Sequence, residues 1–516
     1  MPHCDDRPRL DVRLVPAALT SWTVTAAGIV WSTGRMSAVC CVVVATGSGV
    51  LWWHARRRPG PALRLAAFSA GLAAVGVVGA GYGVAIAMRT QAVARHPITA
   101  AFGSVAPVTV IPSESPVPLG RGRLMFRATL ARLRGDQSSG RVVVFGPAAE
   151  YAELMVGQPM RFSAQIRRPS RHDLTVAVLN ATSRPVIGTA GPMQRVAHTV
   201  RGRFAAVVRE VLPPDQAAML PALVLGDTSQ VTTATGREFR AAGMTHLTAV
   251  SGANVTIVCA AVLFSARLVG PRVAVVSAAV VLVAFVIVVQ PTASVLRAAV
   301  MGAIGLAGIL TSRRRQAIPA LSTSVLVLLA VAPQLAVDMG FALSVVATAA
   351  LIVIAPVWSQ RLTVRGCPKP VADALAVAAA AQLVTAPLVA AISGRFSVIA
   401  AVANLMVAVV TAPLTVLGSA AAVLAVPWPA AAQLLIRFTA PEVWWVVHVA
   451  HWAAAVPAAT VPVPAGMPGV VVVGCTSVFV AAMWRWRWFR AAVRSGGAVA
   501  GLCWLAWWLS GLVGAS

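Results

Sequence analysis

A series of apolar stretches, each close to the length of a bilayer-crossing helix, limits the fold of this chain more than any other feature of its sequence. A helix needs about 20 apolar residues to cross the hydrocarbon core. The stretches lie at 15–33, 36–54, 65–88, 253–269, 273–290, 294–311, 318–335, 340–357, 371–391, 397–425, 468–484 and 497–513. We therefore expect a polytopic α-helical membrane protein of about 10 to 13 spans.

The composition supports a chain built mainly to lie in lipid. Hydrophobic residues make up 58% of the 516 residues and charged residues 11%, whereas an ordinary soluble domain has about 25% charged residues. A cytosolic enzyme with a single attached anchor is therefore excluded. The formal net charge of +27 does not by itself indicate a nucleic-acid partner, because basic residues also accumulate in the cytoplasmic loops of membrane proteins.

Arginine clusters between the apolar stretches predict the orientation of the chain in the cytoplasmic (inner or plasma) membrane. Placing them in the cytoplasm puts the N-terminus inside and the segment after Met88 outside, and it gives a regular alternation as far as residue 391. Two later segments stay open. The stretch 397–425 is too long for one straight span and contains Pro413, and the Trp-rich segment 430–458 fits either a crossing or an interfacial helix.

Changes in composition divide the chain into a membrane block at 1–88, an extracytoplasmic domain at 89–200, an amphipathic helical connector at 201–245 and a transmembrane domain at 246–516. The second region holds polar turns and segments with strand character at 123–133, 141–145, 160–166 and 174–179. Several short strands at near-regular spacing favour a barrel or a sandwich. We expect a small all-β, OB-like barrel of five strands, inserted after the third span.

Arginines outnumber acidic residues in the segment 89–200. Two interpretations of this excess stay open: a structural cap with a solvated basic face, or a surface that follows the backbone of single-stranded nucleic acid. Few aromatic side chains are available there for base stacking, namely Phe126, Phe145, Tyr151 and Phe162. This shortage favours the structural cap.

Ionisable and amide side chains are rare in the transmembrane domain, so each is informative. A charged group at membrane depth usually faces the bundle interior or a water-filled path. Arg297 lies early in one predicted span and Asp338 precedes another, so the two residues either form an ion pair or lie separately at loop ends. Gln382 and Asn404 lie in later spans, where a buried amide either lines a path or bonds to a neighbouring helix.

The stretch 243–255 brings polar residues to the start of an apolar segment, among them His246, Ser251, Gly252 and Asn254. Ser-Gly in a span permits close helix approach or a local break that lines a cavity. The pair of His246 and Ser251 also suggests a hydrolase, but no G-x-S-x-G elbow is present and no acid follows to orient the histidine. We therefore expect a polar lining without enzyme activity. The scattered cysteines and histidines predict neither a metal site nor a cofactor.

These residues resemble the signature of the ComEC family of competence proteins. The family pattern F-R-x-A-G-x-x-H-x-x-A-x-S-G is matched by the run from Phe239 to Gly252. Further matches follow in the family's order, at Arg297, Asp338, Phe341, Ser344, Gln382 and Asn404. The resemblance covers nearly the whole chain, because the family layout also has N-terminal spans and an OB-like outer domain.

The resemblance implies a transmembrane channel subunit that moves single-stranded DNA into the cytoplasm during natural transformation. It also implies, besides the lipid bilayer, an extracytoplasmic DNA receptor that delivers the strand and a cytoplasmic ATP-driven motor that draws it inward. Assembly as a homodimer stays open. Family positions carried over to this chain predict these pathway or gating residues: His246, Ser251, Gly252, Asn254, Arg297, Asp338, Phe341, Ser344, Gln382 and Asn404.

Two departures from the family pattern change what we expect. Many relatives have a second histidine where this chain has Asn254, so a role that needs a titratable pair is not expected. Many also carry a C-terminal metallo-β-lactamase-like domain with an HxHxDH motif, which does not occur in this sequence, so we expect a form of the family without that domain. The alternative function is a secondary transporter for a small anion, with Arg297 as the substrate anchor.

Overall fold

The computed structural model describes residues 11–57, 63–151, 154–290, 292–310, 317–457 and 459–483. The apolar stretch predicted at 497–513 and the arginine clusters at 313–315 and 485–494 lie outside the described residues.

Three long helices form the N-terminal block: α1 (Val15–Trp31), α2 (Gly34–Arg56) and α3 (Leu63–Ala94). Aromatic residues attach this block to the later part of the chain. The Trp22 indole N–H donates to the carbonyl of Ala336 at 2.8 Å, and the Tyr82 hydroxyl donates to the carbonyl of Leu326 at 2.5 Å. The N–H and O–H groups of these aromatic side chains thus donate hydrogen bonds to backbone carbonyls inside the helix bundle.

A small β domain follows α3. Its strands are β1 (Val105–Pro112), β2 (Val117–Gly120), β3 (Arg123–Leu133), β4 (Asp136–Pro147), β5 (Met160–Arg167), β6 (Thr175–Ala181) and β7 (Val186–Ile187), with a short helix α4 (Ala148–Tyr151) before β5. Strands β1, β3, β4, β6 and β5 pair in that order, and β5 pairs back to β1, which closes the circuit. All these pairings are antiparallel except that of β4 with β6, which is parallel.

The β domain has its own hydrophobic core. Alternate residues of β3 and β4 face inward, as the period of two in a half-buried strand requires. Tyr151 is fully buried, and its ring contacts Phe162 edge-on with 5.6 Å between ring centroids. The four predicted strand segments are confirmed, whereas β1 was not predicted. It contains Pro107, which pairs with Ser163 of β5, and a proline within a run argues against a strand.

An amphipathic connector joins the β domain to the transmembrane helices. It consists of α5 (Pro192–Val211), α6 (Pro214–Leu225), α7 (Thr233–Ala241) and the short helix α8 (Thr245–Thr248). Helix α5 ends at Val211, because Pro213 disfavours the helical conformation of Leu212, the residue before it, which is extended. The side chains of Phe204, Val207 and Val208 bury one face of α5 against the helix bundle.

The remaining helices are α9 (Gly252–Ala266), α10 (Pro271–Val289), α11 (Ala293–Leu310), α12 (Ala317–Val331), α13 (Met339–Val353), α14 (Ala355–Val364), α15 (Lys369–Ser393), α16 (Ala400–Leu424), α17 (Pro429–Ala455) and α18 (Met467–Met483). Six helical segments in the described part of the chain are long and apolar enough to cross a bilayer, judged by length and composition. The chain is therefore a mostly helical, multi-pass membrane protein with a small β region. The number of spans stays a prediction.

The stretch 397–425 forms a single helix, α16, of 25 residues with Pro413 inside it. Helix α17 covers most of the segment 430–458 and lies along α16, where the Trp445 indole N–H donates to the carbonyl of Met406 at 2.9 Å. Its buried face includes Ile436 and Val443, so α17 is packed into the bundle on one side. Whether it crosses the membrane stays open. Two short strands, β8 (Arg395–Ser397) and β9 (Thr460–Pro462), pair beside these helices.

Candidate functional site

A buried arginine is the centre of the candidate site. Arg297, in the second turn of α11, is 6% exposed. Its Nε donates to the Ser344 hydroxyl of α13 at 2.7 Å, and Ser344 shares a hydrogen bond of 3.1 Å with the Ser294 hydroxyl. One turn further along α11, the Met301 sulfur accepts from Arg297 Nη1 at 3.2 Å. Two helices therefore hold the guanidinium group in a fixed position.

The other side of the guanidinium lies against the start of α9. A Cβ atom added to Gly252, the first residue of that helix, would lie 2.6 Å from Nη2 of Arg297. Glycine is thus required here because the guanidinium occupies the space of a side chain. The first amide groups of a helix carry partial positive charge. The site therefore combines a full cation and the positive end of a helix dipole.

No acidic side chain balances this charge: within the described residues, Arg297 forms no ion pair. The ion pair with Asp338, one of the two predicted arrangements, is not formed. Asp338 caps α13 instead, with its Oδ1 accepting from the backbone N–H of Phe341 at 2.8 Å. An aspartate just before a helix accepts hydrogen bonds from the free backbone N–H groups of the first turn. This local interaction takes the place of an ion pair with the more distant Arg297.

Ser251 and Asn254 fix the start of α9. The Ser251 hydroxyl donates to Asn254 Oδ1 at 3.0 Å and accepts from the Asn254 backbone N–H at 3.4 Å. The Asn254 side-chain amide donates to the carbonyl of Leu223 in the last turn of α6 at 3.2 Å. Such carbonyls have no partner within their own helix. These hydrogen bonds thus position α9, and with it Gly252.

His246 lies on α8, directly after the turn at Gly243. Gly243 has a φ of 70°, and an added Cβ there would collide with Ala400. The His246 side chain is exposed, and no hydrogen bond joins it to Ser251 in the described structure. Loss of water nevertheless lowers the pKa of His246 more than its hydrogen bond with the Gly243 backbone raises it.

The other predicted positions do not share a hydrogen bond with the Arg297 cluster. Phe341 is fully buried and its ring lies 5.3 Å from that of Trp22, so it belongs to the core between α1 and α13. Asn404 on α16 has a buried Oδ1 without a hydrogen-bond partner among the described atoms. Gln382 on α15 is half-buried.

Ser294 and Met301 were not among the predicted site residues. Both follow from helical spacing, because Ser294 precedes Arg297 by three residues and Met301 follows it by four. Leu223 had no signal of its own, since its carbonyl takes part through the backbone. Within the described residues, no group of three or more His, Cys, Asp or Glu side chains could hold a metal ion.

The family model for the competence protein family, described as "Competence protein", matches residues 223–488. The chain belongs to the competence protein family. The matched region contains the whole Arg297 cluster, together with Gly252, Asn254 and the capping residue Asp338.

This competence protein is also similar to ComE operon protein 3 of Bacillus subtilis (strain 168), with 28% identity over 212 residues. The similar region is 40% of this chain and 26% of the relative. The match thus covers about a quarter of the relative's length. No solved structure matches the chain.

Proposed function

We propose that this competence protein is a channel subunit that passes single-stranded DNA across the membrane into the cytoplasm. The observation that carries the proposal is the buried guanidinium of Arg297, which contacts the start of α9 and has no acidic partner within the described residues. Taking a charge out of water is unfavourable by several kcal/mol unless an opposite charge compensates. The site therefore suits an anion that arrives from outside the protein.

A phosphodiester group fits this chemistry. A guanidinium group binds phosphate oxygens with two parallel N–H donors, and a helix N-terminus adds backbone N–H groups and a favourable dipole. A single strand offers one such charge per nucleotide, so each phosphate would replace the one before it at the same site. Movement requires that each contact be weak enough to release. A single arginine without further cations meets that condition.

The pathway residues outside the cluster belong to the same proposal. The exposed side chain of His246 and the buried amide oxygen of Asn404, which has no hydrogen-bond partner among the described atoms, supply polar groups to the proposed path. Gln382 is proposed as a further lining residue on α15. Ser251 and Asn254 position α9, Asp338 and Phe341 position α13, and none of these side chains is proposed to act in a reaction.

We infer that the β domain is an OB-like barrel on the extracytoplasmic side, with the N-terminus in the cytoplasm. The closed circuit of five strands with one parallel pairing supports the barrel. The Ser115 hydroxyl donates to Gln290 Oε1 at 3.0 Å, which joins the barrel to the loop before α11. A DNA strand that left the barrel beside this contact would lie next to α11, the helix that carries Arg297. Binding of DNA by the barrel itself is a separate proposal.

The proposed partners follow from direction of transport. A receptor outside the membrane would supply the strand and an ATP-driven motor in the cytoplasm would draw it inward, because Arg297 supplies affinity but no free energy for net movement. Assembly as a homodimer is a further proposal. The domain boundaries at residues 88, 200 and 245 stay part of the proposal; helix α3 continues to Ala94 and helix α5 begins at Pro192.

The test replaces Arg297 by glutamine in the full-length protein and measures entry of labelled single-stranded DNA into proteoliposomes, or into cells of a transformable host. Arg297→Gln is expected to lower entry by about 10- to 100-fold, the loss of one charge-assisted contact of roughly 1.5–3 kcal/mol. Arg272→Gln, an exposed arginine at the start of α10, is the matched control and should leave entry unchanged. Full entry with Arg297→Gln at normal membrane levels would overturn the proposal.

A secondary transporter for a small anion is the second candidate. The guanidinium beside a helix start also fits a free phosphate or carboxylate. Proteoliposomes that take up inorganic phosphate but pass no oligonucleotide would favour this function over DNA transport.

A further inference from the structure

Helix α5 has three differently occupied faces. One face packs into the bundle through Phe204, which is fully buried. A second face meets the β domain, where an added Cβ at Gly157 would lie 2.6 Å from Gln194 Cγ. The third face, with Met193 and Val196, is covered by no residue of the described structure. Met193 is 56% and Val196 63% exposed.

A groove of about 350 Å³ runs along this third face, and it is lined by Pro192, Arg195, Val196, Thr199, Val200 and Val426. Its volume lies at the lower end of the range of small-ligand sites, roughly 300–1,000 Å³. Three valines make the walls apolar. The Thr199 hydroxyl donates to the carbonyl of Arg195 at 2.9 Å, so the guanidinium of Arg195 is the main donor that the groove offers.

Arg195 and Arg201, two of the four arginines of α5, differ in what they contact. Arg201 donates to the carbonyls of Val288 and Val289 at 3.3 and 3.4 Å and lies 3.9 Å from an oxygen of Asp227. Arg195 is exposed, and its guanidinium has no ion pair or hydrogen bond within the described residues. Arg201 therefore fixes α5 to the bundle, whereas Arg195 is available to an outside anion.

Exposed apolar residues continue beside the groove. Val426 and Trp428, between α16 and α17, are 44% and 63% exposed. Tryptophan is enriched where a membrane protein meets the lipid headgroups. An amphipathic helix with apolar residues on one side and arginine beside them has the pattern of an interfacial helix.

We propose that the groove between α5 and Val426 binds an anionic phospholipid, with its phosphate at Arg195 and an acyl chain along Val196, Val200 and Val426. The arginine supplies charge complementarity to the headgroup, and its stem adds apolar surface. Single-stranded DNA is a poorer fit, because the three valines of the groove complement an acyl chain and offer neither hydrogen bonds nor stacking rings to a nucleotide.

The lipid has a structural consequence that does not depend on the proposed DNA pathway. Helix α5 lies between the β domain, through Gln194, and the bundle, through Phe204 and Arg201. A bound lipid fills the remaining face, so that all three sides of the helix are occupied. We expect the lipid to stabilise the position of the β domain on the bundle.

The test uses the full-length protein, purified in detergent, with phosphatidylglycerol and phosphatidylcholine of the same acyl chains as probes. Native mass spectrometry counts retained lipids, and a thermal unfolding series measures the stabilisation that each lipid gives. Arg195→Gln is expected to lower phosphatidylglycerol affinity about 5- to 10-fold, and Val196→Ser about 3-fold. The matched control is Arg203→Gln, an exposed arginine of α5 outside the groove, which should retain wild-type affinity.

Three results would overturn the proposal. One is equal retention of phosphatidylglycerol by the wild type and Arg195→Gln. Another is displacement of the lipid by millimolar inorganic phosphate, which would reassign Arg195 to a free anion. The last is displacement by a short oligonucleotide, which would reassign the groove to DNA. Because both substituted side chains are exposed, loss of folding is not expected to obscure the comparison.

Discussion

Arg297 Nε and the Ser344 hydroxyl lie 2.7 Å apart, although 47 positions separate the two residues in the chain. The bond joins α11 to α13 and directs the guanidinium toward Gly252 at the start of α9. Three helices therefore meet at one cation. We therefore expect the proposed function of the site to depend on how this group is held as well as on its charge.

Ser344→Ala is expected to lower DNA entry several-fold, less than Arg297→Gln, because the charge remains but loses its fixed position. Hydrogen bonds to charged groups contribute about 1.5–3 kcal/mol, and part of this loss should appear as weaker binding of oligonucleotide. Ser344→Thr keeps the hydroxyl and should restore most of the entry. If threonine were as harmful as alanine, packing rather than hydrogen bonding would explain the effect.

Gly252→Ala tests the contact between α9 and the guanidinium. The added methyl group would lie 2.6 Å from Arg297 Nη2, so the arginine side chain must move or α9 must shift. We expect DNA entry to fall toward the level of Arg297→Gln, measured in the same proteoliposomes. Gly305→Ala on α11 is the control, since nothing lies within 4 Å of its added Cβ and alanine favours a helix. Equal behaviour of the two variants would contradict the assigned contact.

Helix positions were largely predictable from the sequence, and the Arg297 cluster only in part. Apolar stretches identified α9, α10 and α11 because hydropathy depends on local composition. The partner of Arg297 was not predictable, since its choice between Asp338 and Ser344 depends on how the helices pack. The cap formed by Asp338 was nevertheless predictable from local sequence, because aspartate is common at the position just before a helix.

In the β domain, too, some strands were predictable from the sequence and others were not. Strands β3 and β5 alternate in hydrophobicity and were predicted, but β1 contains Pro107 and was missed. Strand β1 pairs with β3 on one side and with β5 on the other. Pairing with strands that are distant in the sequence therefore outweighs the local effect of a proline. A short window of sequence contains no information on such pairing.

Asn254→Ala is expected to destabilise the protein by about 1–3 kcal/mol, because the carbonyl of Leu223 would be left buried without its donor. The loss should appear as faster hydrogen exchange in α6 and α9. Thr256→Ala, on the exposed side of α9, is the control and should change stability by no more than about 0.5 kcal/mol. Unchanged exchange in α6 with Asn254→Ala would remove the structural role assigned to this amide.

Acid should weaken the region around His246. Its pKa in the folded protein is lowered, chiefly by loss of water, so the folded state binds fewer protons than the unfolded state near the ordinary histidine pKa of about 6.5. The neutral ring thus contributes stability above that pH, which is lost as the pH falls through the folded pKa. Melting temperatures across this range should fall more for the wild type than for His246→Gln. Parallel curves would show that His246 does not titrate differently on unfolding.

Tyr151 allows the β domain to be perturbed without touching the bundle. Its hydroxyl donates to the carbonyl of Ser183 at 2.8 Å, and burial raises the pKa of Tyr151, so the donor proton is retained. Tyr151→Phe should destabilise the domain by about 1 kcal/mol, and Tyr151→Ala by roughly 3–5 kcal/mol, as for other large buried rings. Hydrogen exchange of the full-length protein should accelerate in β3, β4 and β5, whereas the bundle helices keep their protection because the two regions have separate hydrophobic cores. Equal acceleration in α10 and α11 would show instead that the β domain and the bundle unfold as one cooperative unit.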